Sequence, residues 1–250
     1  MRGDRGLAAP LIRVKDLWKS FEGEPAVRGL SLEVEPGTIH GLLGLNGAGK
    51  TTTIKCIVGL LKPDRGEISV AGRSVTADIS YKSLIGYLPE NPSLPEYLTV
   101  EEFLVFVSRL RGLEGLRLKS SVSEVTELFG LSRYLDKLIF GLSKGLKQRV
   151  AFASAIVNDP LVLILDEPFN GLDPEAQSIA KSKMREVSKR GGSVLVSTHL
   201  LDTIERVCDF ATIIHEGKDR ASGTVEELKR LAGLQLSASL EDAFLRIIVR

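Results

Sequence analysis

The amino-acid sequence predicts an α/β fold built on a mostly parallel sheet. Short apolar runs of strand character alternate with stretches of helical periodicity along most of the chain, the pattern that a helix-wrapped sheet produces. A glycine-rich turn, Gly44-Leu45-Asn46-Gly47-Ala48-Gly49-Lys50-Thr51-Thr52, sits where one such run hands over to a helix. The alternation breaks once, from about Thr99 to Asn158, where the pattern is helical almost throughout. That stretch reads as an inserted helical subdomain.

The elements follow in order. Leu11 to Trp18 and Gly29 to Val34 alternate apolar and polar residues, as half-exposed strands do. Thr38 to Leu43 is a short buried strand feeding the glycine turn, and Thr51 to Val58 is a helix closed by Gly59. Glu67 to Val70 is a strand ended by the turn Ala71-Gly72, and Ile85 to Leu88 is another, stopped at Pro89. Inside the helical stretch, Thr99-Val100-Glu101-Glu102 fits a capping box. Strands return at Leu161 to Leu165, Ser193 to Ser197 and Phe210 to His215. The expected organisation is one domain over 1–250. Its core comes from 11–90 and 159–231, its helical subdomain from 91–158, and its helical tail from 232–250.

Composition narrows the class. In a chain of 250 residues, 43% hydrophobic and 26% charged residues are ordinary for a globular protein. A net charge of +1 argues against wholesale nucleic-acid binding, so no nucleic-acid partner is expected. No apolar run approaches the ~18 residues that span a bilayer. The first residues, Met1-Arg2-Gly3-Asp4-Arg5-Gly6, carry charge with no apolar signal core behind them, so the cytosol is the expected compartment. The two cysteines, Cys56 and Cys208, lie in apolar helical patterns and read as small core residues.

The glycine turn fits two glycines spaced for a phosphate loop, followed by Lys and Thr. Without a Cβ, Gly44, Gly47 and Gly49 let the loop take φ > 0 and wrap closely around oxygen atoms. A helix N-terminus adds about half a positive charge where the phosphates sit. Lys50 is placed to reach the β and γ phosphates of a nucleotide, and the Thr51 hydroxyl to ligate Mg²⁺. Asn46, Gly47, Gly49, Lys50, Thr51 and Thr52 are the nucleotide-binding candidates. Later, five apolar residues end in Asp166-Glu167-Pro168. A fully buried central strand reads this way, with acids at its carboxyl end, where open α/β sheets bind ligands. Asp166 suits Mg²⁺ through water, and Glu167 suits the water that attacks the γ phosphate. A surface turn after a core strand would look the same in isolation; the phosphate loop favours the acids as functional groups.

Over residues 11–231 the motifs resemble the nucleotide-binding subunit of ATP-binding cassette (ABC) transporters. After the phosphate loop comes Leu142-Ser143-Lys144-Gly145-Leu146-Lys147-Gln148-Arg149, similar to the family signature. Asp166 and Glu167 follow, then the linking loop Asn170-Gly171-Leu172-Asp173, then His199 at the switch-histidine position. The resemblance implies a P-loop NTPase core with an N-terminal antiparallel β subdomain and an inserted α-helical subdomain. It implies ATP with Mg²⁺, held head to tail between this chain and a second copy or a homologous ATPase subunit. Each site would combine Lys50, Thr51, Asp166, Glu167 and His199 of one subunit with Ser143 and Gly145 of the other. Phe21, between the first two strands, would stack on adenine, and Asp173 would link the two sites. Plainer readings stand beside these: Phe21 in a core, Ser143 and Asp173 as N-caps, His199 capping the next helix.

Four positions, in three motifs, depart from the family pattern. Lys144 and Leu146 replace a glycine and a glutamine of the signature, and Leu45 replaces a frequent proline. Glu90 stands where the family has a glutamine; as a hard oxygen donor it suits Mg²⁺, at the cost of negative charge beside the γ phosphate. The Pro-Glu loop, the signature variant and the tail Leu240-Glu241-Asp242-Ala243-Phe244-Leu245 look most like two-component exporters. Only 51 residues follow His199, too few for the regulatory domain of some sugar importers. The expected function is ATP hydrolysis that drives export through a separate transmembrane permease, which would hold the chain on the inner membrane face. The expected docking groove lies near Glu90 to Val100. A soluble ABC ATPase, for example in iron–sulfur cluster assembly, is the alternative. A sensor that binds ATP without hydrolysis is disfavoured by Glu167.

Overall fold

The structure is a computed structural model that describes residues 9–249. β1 (Ile12–Phe21) and β2 (Glu24–Val34) form a hairpin closed by Glu22 and Gly23, both at positive φ, 49° and 87°. Two such residues are what a tight turn with the right twist requires. β3 (Ile39–Leu43) is buried along its whole length and leads into α1 (Lys50–Ile57). β4 (Arg65–Val70) and β5 (Arg73–Ser74) return to the hairpin, giving an antiparallel sheet of order β2-β1-β4-β5. β6 (Ile85–Leu88) precedes three helices, α2 (Val100–Leu110), α3 (Gly115–Leu128) and α4 (Lys144–Ile156). Next come β7 (Val162–Asp166), α5 (Pro174–Lys189), β8 (Ser193–Thr198), α6 (Leu201–Val207) and β9 (Phe210–His215). β10 (Lys218–Gly223), α7 (Val225–Leu231) and α8 (Leu240–Ile248) follow.

The second sheet has the order β10-β9-β3-β8-β7-β6. Every pair in it is parallel except β9 with β10. The mostly parallel sheet, the antiparallel N-terminal sheet and the helical insert are all present. Successive residues of β7 explain why it contains no polar residue before Asp166. Val162 and Ile164 pack on the side of the antiparallel sheet and α1, while Leu163 and Leu165 pack on the side of the helices. Each of those faces is covered, so both halves of the period-2 pattern must be apolar. At the start of α2 the capping box forms: the Glu102 amide donates to Thr99 Oγ1 at 3.1 Å, and the Thr99 amide donates to Glu102 Oε2 at 2.8 Å.

Some boundaries differ from expectation. Phe21 ends β1 rather than lying between two strands, because the hairpin extends to the pair Phe21–Glu24. β7 begins after Leu161 and includes Asp166, which pairs with Ser197. β5 and β10 were not anticipated; β10 is the polar run Lys-Asp-Arg-Ala-Ser-Gly, on the sheet edge, with Ala221 alone buried. Cys56 is buried within α1, whereas Cys208 is buried just past α6 in extended backbone. Burial pushes the Cys56 thiol up to about 11. Among the described residues no helix is long and apolar enough to cross a membrane.

Candidate nucleotide site

Four neighbouring parallel strands, β3, β8, β7 and β6, end on one edge of the sheet. Their registers put Leu43 beside Thr198, Asp166 beside Ser197 and Leu88 beside Leu165. The phosphate loop, His199, Asp166 with Glu167, and Glu90 therefore leave the sheet side by side. This is the carboxyl edge, where α/β sheets of this kind bind ligands.

The phosphate loop is built from backbone constraints. Gly47 and Gly49 take φ of 80° and 104°. Gly44 does not, which corrects its expected role: a Cβ there would lie 2.6 Å from the Ile214 carbonyl oxygen, so close packing rather than φ demands glycine. A Cβ on Gly49 would lie 2.7 Å from the Ala26 carbonyl oxygen. The loop is braced from outside by Gly217, whose amide donates to the Ala48 carbonyl at 3.0 Å and whose carbonyl accepts from Arg28 at 2.8 Å. α1 starts at Lys50, so the first amides of that helix have no partner within it and point toward the loop. Lys50 is 7% exposed, and its ammonium donates to the carbonyls of Gly44 at 2.8 Å and Leu45 at 3.2 Å. Burial lowers its pKa, against the opposing pull of Glu167, Asp166 and Glu90. Those three carboxylates thus form the electrostatic surroundings of the lysine, although Glu90 itself is exposed.

Asp166 is fully buried. Its Oδ1 accepts from the Ser197 hydroxyl, while its Oδ2 is buried with no hydrogen-bond partner. A buried carboxylate oxygen left without a donor is costly, and a metal-bound water would satisfy it. Thr51, in the first turn of α1, is half-buried. No cluster of three or more acidic, His or Cys side chains fit for a metal occurs among the described residues. Mg²⁺ keeps several waters and takes phosphate oxygens rather than an all-protein cage, so the unpartnered Asp166 oxygen and the Thr51 hydroxyl are the oxygen donors it would use. The donor set fits.

Glu167 is held at φ 49°, an unusual conformation for a residue with a side chain. Its amide donates to the Ser197 carbonyl at 2.9 Å. Its Oε2 accepts from the Thr198 hydroxyl at 2.9 Å; its Oε1 meets the His199 amide at 3.1 Å and the His199 Nδ1 at 2.9 Å. The His199 ring is thus engaged with Glu167 rather than capping α6, whose N-cap is Leu200. Sequence reading missed Ser197 and Thr198. The signal available was two hydroxyl residues directly after the apolar run Val194-Leu195-Val196.

The signature residues stand in a second group. Ser143 caps α4, its Oγ accepting from the Leu146 amide at 3.3 Å. Gly145 faces the linking loop, and a Cβ there would meet the Gly171 carbonyl oxygen at 3.3 Å. Asp173 caps α5 through the Ala176 amide at 2.9 Å, with Pro174 next, and accepts from Arg149 at 2.5 Å. Those bonds, the Ala176 amide first, hold its carboxyl below the usual range. A cavity of about 570 Å³ opens beside Ser143, Gly145, Arg149 and Asp173. Lys50, Asp166 and Glu167 do not line that cavity; the segment from Pro168 to Leu172 connects the two groups along the chain. Phe21 is 45% exposed, with the Lys19 ammonium 5.7 Å from its ring centre.

A family model described as ABC transporter matches residues 27–170. The chain belongs to the ABC transporter family. It is 40% identical over 238 residues to the ABC-type transporter ATP-binding protein EcsA of Bacillus subtilis (strain 168), covering 95% of this chain and 96% of that protein. It is 38% identical to the Nod factor export ATP-binding protein I of Burkholderia orbicola (strain AU 1054), over 87% of this chain and 72% of that protein. A solved ATP-binding subunit of an ABC transporter matches with a TM-score of 0.91 at 37% identity, covering 95% and 99% of the two chains. The structure of cbiO1 from Clostridium perfringens, part of the ABC transporter complex cbiONQ, matches with a TM-score of 0.75 at 28% identity, covering 90% and 94%. The protein is therefore an ABC ATP-binding subunit, and ATP binding and hydrolysis are the general activity of such domains.

Proposed function

We propose that this ABC subunit hydrolyses ATP between two copies of itself, or with a homologous ATPase subunit, to drive export through a separate membrane permease. The observation that carries the catalytic part is the Glu167 carboxylate, fixed by Thr198 and His199 one residue beyond the buried Asp166. In this reading the amides of Gly47, Gly49, Lys50, Thr51 and Thr52 cradle the phosphates, with Asn46 on the loop beside them and the Lys50 ammonium balancing their charge. Phe21 stacks on adenine. Mg²⁺, held by Thr51 and through water by Asp166, with Glu90 nearby, would neutralise charge on the β and γ phosphates. Glu167 takes a proton from the attacking water, and His199, anchored through Nδ1, orients the γ phosphate through Nε2.

Ser143 and Gly145 lie apart from this cluster in the same chain, so the anion they would meet belongs to a partner's site. Closure of two subunits then completes each site, a ligand-driven movement that a permease can use. The segment from Glu90 to Val100 supports docking. There the Ile139 amide donates to Leu98 and the Phe140 amide to Glu96, at 2.9 and 3.0 Å, beside exposed Tyr97, Leu138 and Phe140. The direction of transport follows the exporter-like motifs and the name of the Nod factor export relative. Such a permease would hold the chain on the inner face of the membrane.

The test is Glu167→Gln. ATP binding should persist, turnover should fall about 10²- to 10⁴-fold, the scale of general-base loss, and an ATP-bound dimer should accumulate on size-exclusion chromatography. Wild-type turnover in that variant would reject Glu167 as the base.

A further inference from the structure

We infer that Thr198 is a positioning residue for hydrolysis, fixing which lone pair of Glu167 receives the proton of the attacking water. The argument begins with its single hydroxyl proton. The Leu200 amide donates to Thr198 Oγ1 at 3.1 Å, and Glu167 Oε2 lies 2.9 Å from the same oxygen. An amide only donates and an ionised carboxylate only accepts, so the hydroxyl proton must point at Glu167. Its orientation is forced.

The consequence lies on the carboxylate. An ionised carboxylate has about four lone-pair positions, two on each oxygen. At Oε1 two are engaged, by the His199 amide and the His199 ring. At Oε2 one is engaged by Thr198. The position left over is the second one on Oε2, and Thr198 decides where it points. The three contacts are not equally firm. The His199 side chain is 49% exposed, whereas Thr198 is fully buried and is the last residue of β8. A β-branched side chain in a strand has a restricted χ1. Thr198 also stands beside Leu43, the residue that enters the phosphate loop. The hydroxyl thus references the base to the strand that carries the phosphates. The Glu167 backbone, at positive φ, is tied to β8 by its amide bond to the Ser197 carbonyl, and Thr198 extends that tie from the same strand to the carboxylate.

This inference rests on Glu167 being the base, and the experiment separates the two. Thr198→Val and Thr198→Ser are made in the wild-type and Glu167→Gln backgrounds, and ATP affinity, KM and kcat are measured. Thr198→Val should lower kcat about 10- to 100-fold, the scale of a misplaced catalytic group, with KM and ATP affinity unchanged. Thr198→Ser keeps the hydroxyl and should restore kcat. In the Glu167→Gln background Thr198→Val should lower turnover no further. If Thr198→Val does not fold, Thr198→Ala is read by the same criteria. Wild-type kcat in the Val variant, a serine variant as slow as valine, or an equal further loss in the Glu167→Gln background would overturn the inference. Should Glu167→Gln itself turn over like wild type, the base assignment fails first and Thr198 has nothing to position.

Discussion

Single atoms decide what several residues of the nucleotide site can be. Gly47 and Gly49 look alike as letters of one motif, yet they are under different constraints. Gly47 has positive φ and open space around an added Cβ; Gly49 has positive φ and would put its Cβ 2.7 Å from the Ala26 carbonyl oxygen. Gly47→Ala should therefore cost about 1–2 kcal/mol, the left-handed penalty alone. Gly49→Ala should cost about 3 kcal/mol or more, because backbone must also move, and should abolish ATP binding. Urea denaturation and nucleotide titration of both variants check this; equal losses would mean that the contact with Ala26 carries no weight. The same contrast shows what was legible. Lys50, Thr51, Asp166 and Glu167 could be read as a site because their residue types and spacing carry the chemistry. The close packing of Gly44 on the Ile214 carbonyl could not, since it depends on a strand more than 160 residues away. Thr198 was hidden for a related reason: beside Val196 and Ser197 it reads as the end of a core strand, and its partner is set by register.

Among the elements, apolar periodicity made β6 and β9 readable to the residue, while β10 went unread because its edge position lets polar side chains face solvent. The tail from residue 232 was expected as a helical unit, and α8 packs on both α6 and α7. Glu205 of α6 ties that packing together. Its Oε1 accepts from the Lys229 ammonium at 2.5 Å and its Oε2 from the Leu240 amide at 3.1 Å, so it caps α8 from another helix. Burial raises the pKa of Glu205, but the bonds from Lys229 and Leu240 outweigh it and the net direction is down. The Lys229 side chain is only 8% exposed, and it would lose this carboxylate in Glu205→Ala. That variant should lose about 2–3 kcal/mol, less than the 3–5 typical of breaking a fully buried pair, because the Glu205 side chain is 29% exposed. Glu205→Gln keeps an acceptor for Leu240 and should lose less. Denaturation midpoints decide; an alanine variant as stable as wild type would show that apolar contacts alone hold the tail.

For the whole molecule, the separation of the two groups of site residues leads to a prediction about pairs of chains. A head-to-tail dimer has two sites, each with the phosphate loop of one chain and the signature of the other. Lys50→Ala should weaken ATP binding, since it removes the ammonium that balances phosphate charge. Ser143→Arg should leave that loop intact but block closure by filling the helix N-terminus where the partner's phosphate must sit. Each variant alone then has two defective sites and should be nearly inactive. A mixed dimer is different: the intact loop of the Ser143→Arg chain faces the intact signature of the Lys50→Ala chain, and both lesions fall together in the opposite site. Equimolar mixing should recover about a quarter of wild-type turnover, because half the dimers are mixed and each has one working site of two. An ATPase assay across mixing ratios measures this, with turnover highest at equal amounts. If the mixture stays as inactive as its parents while each variant still folds, Ser143 does not complete a partner's site and the shared-site reading is wrong.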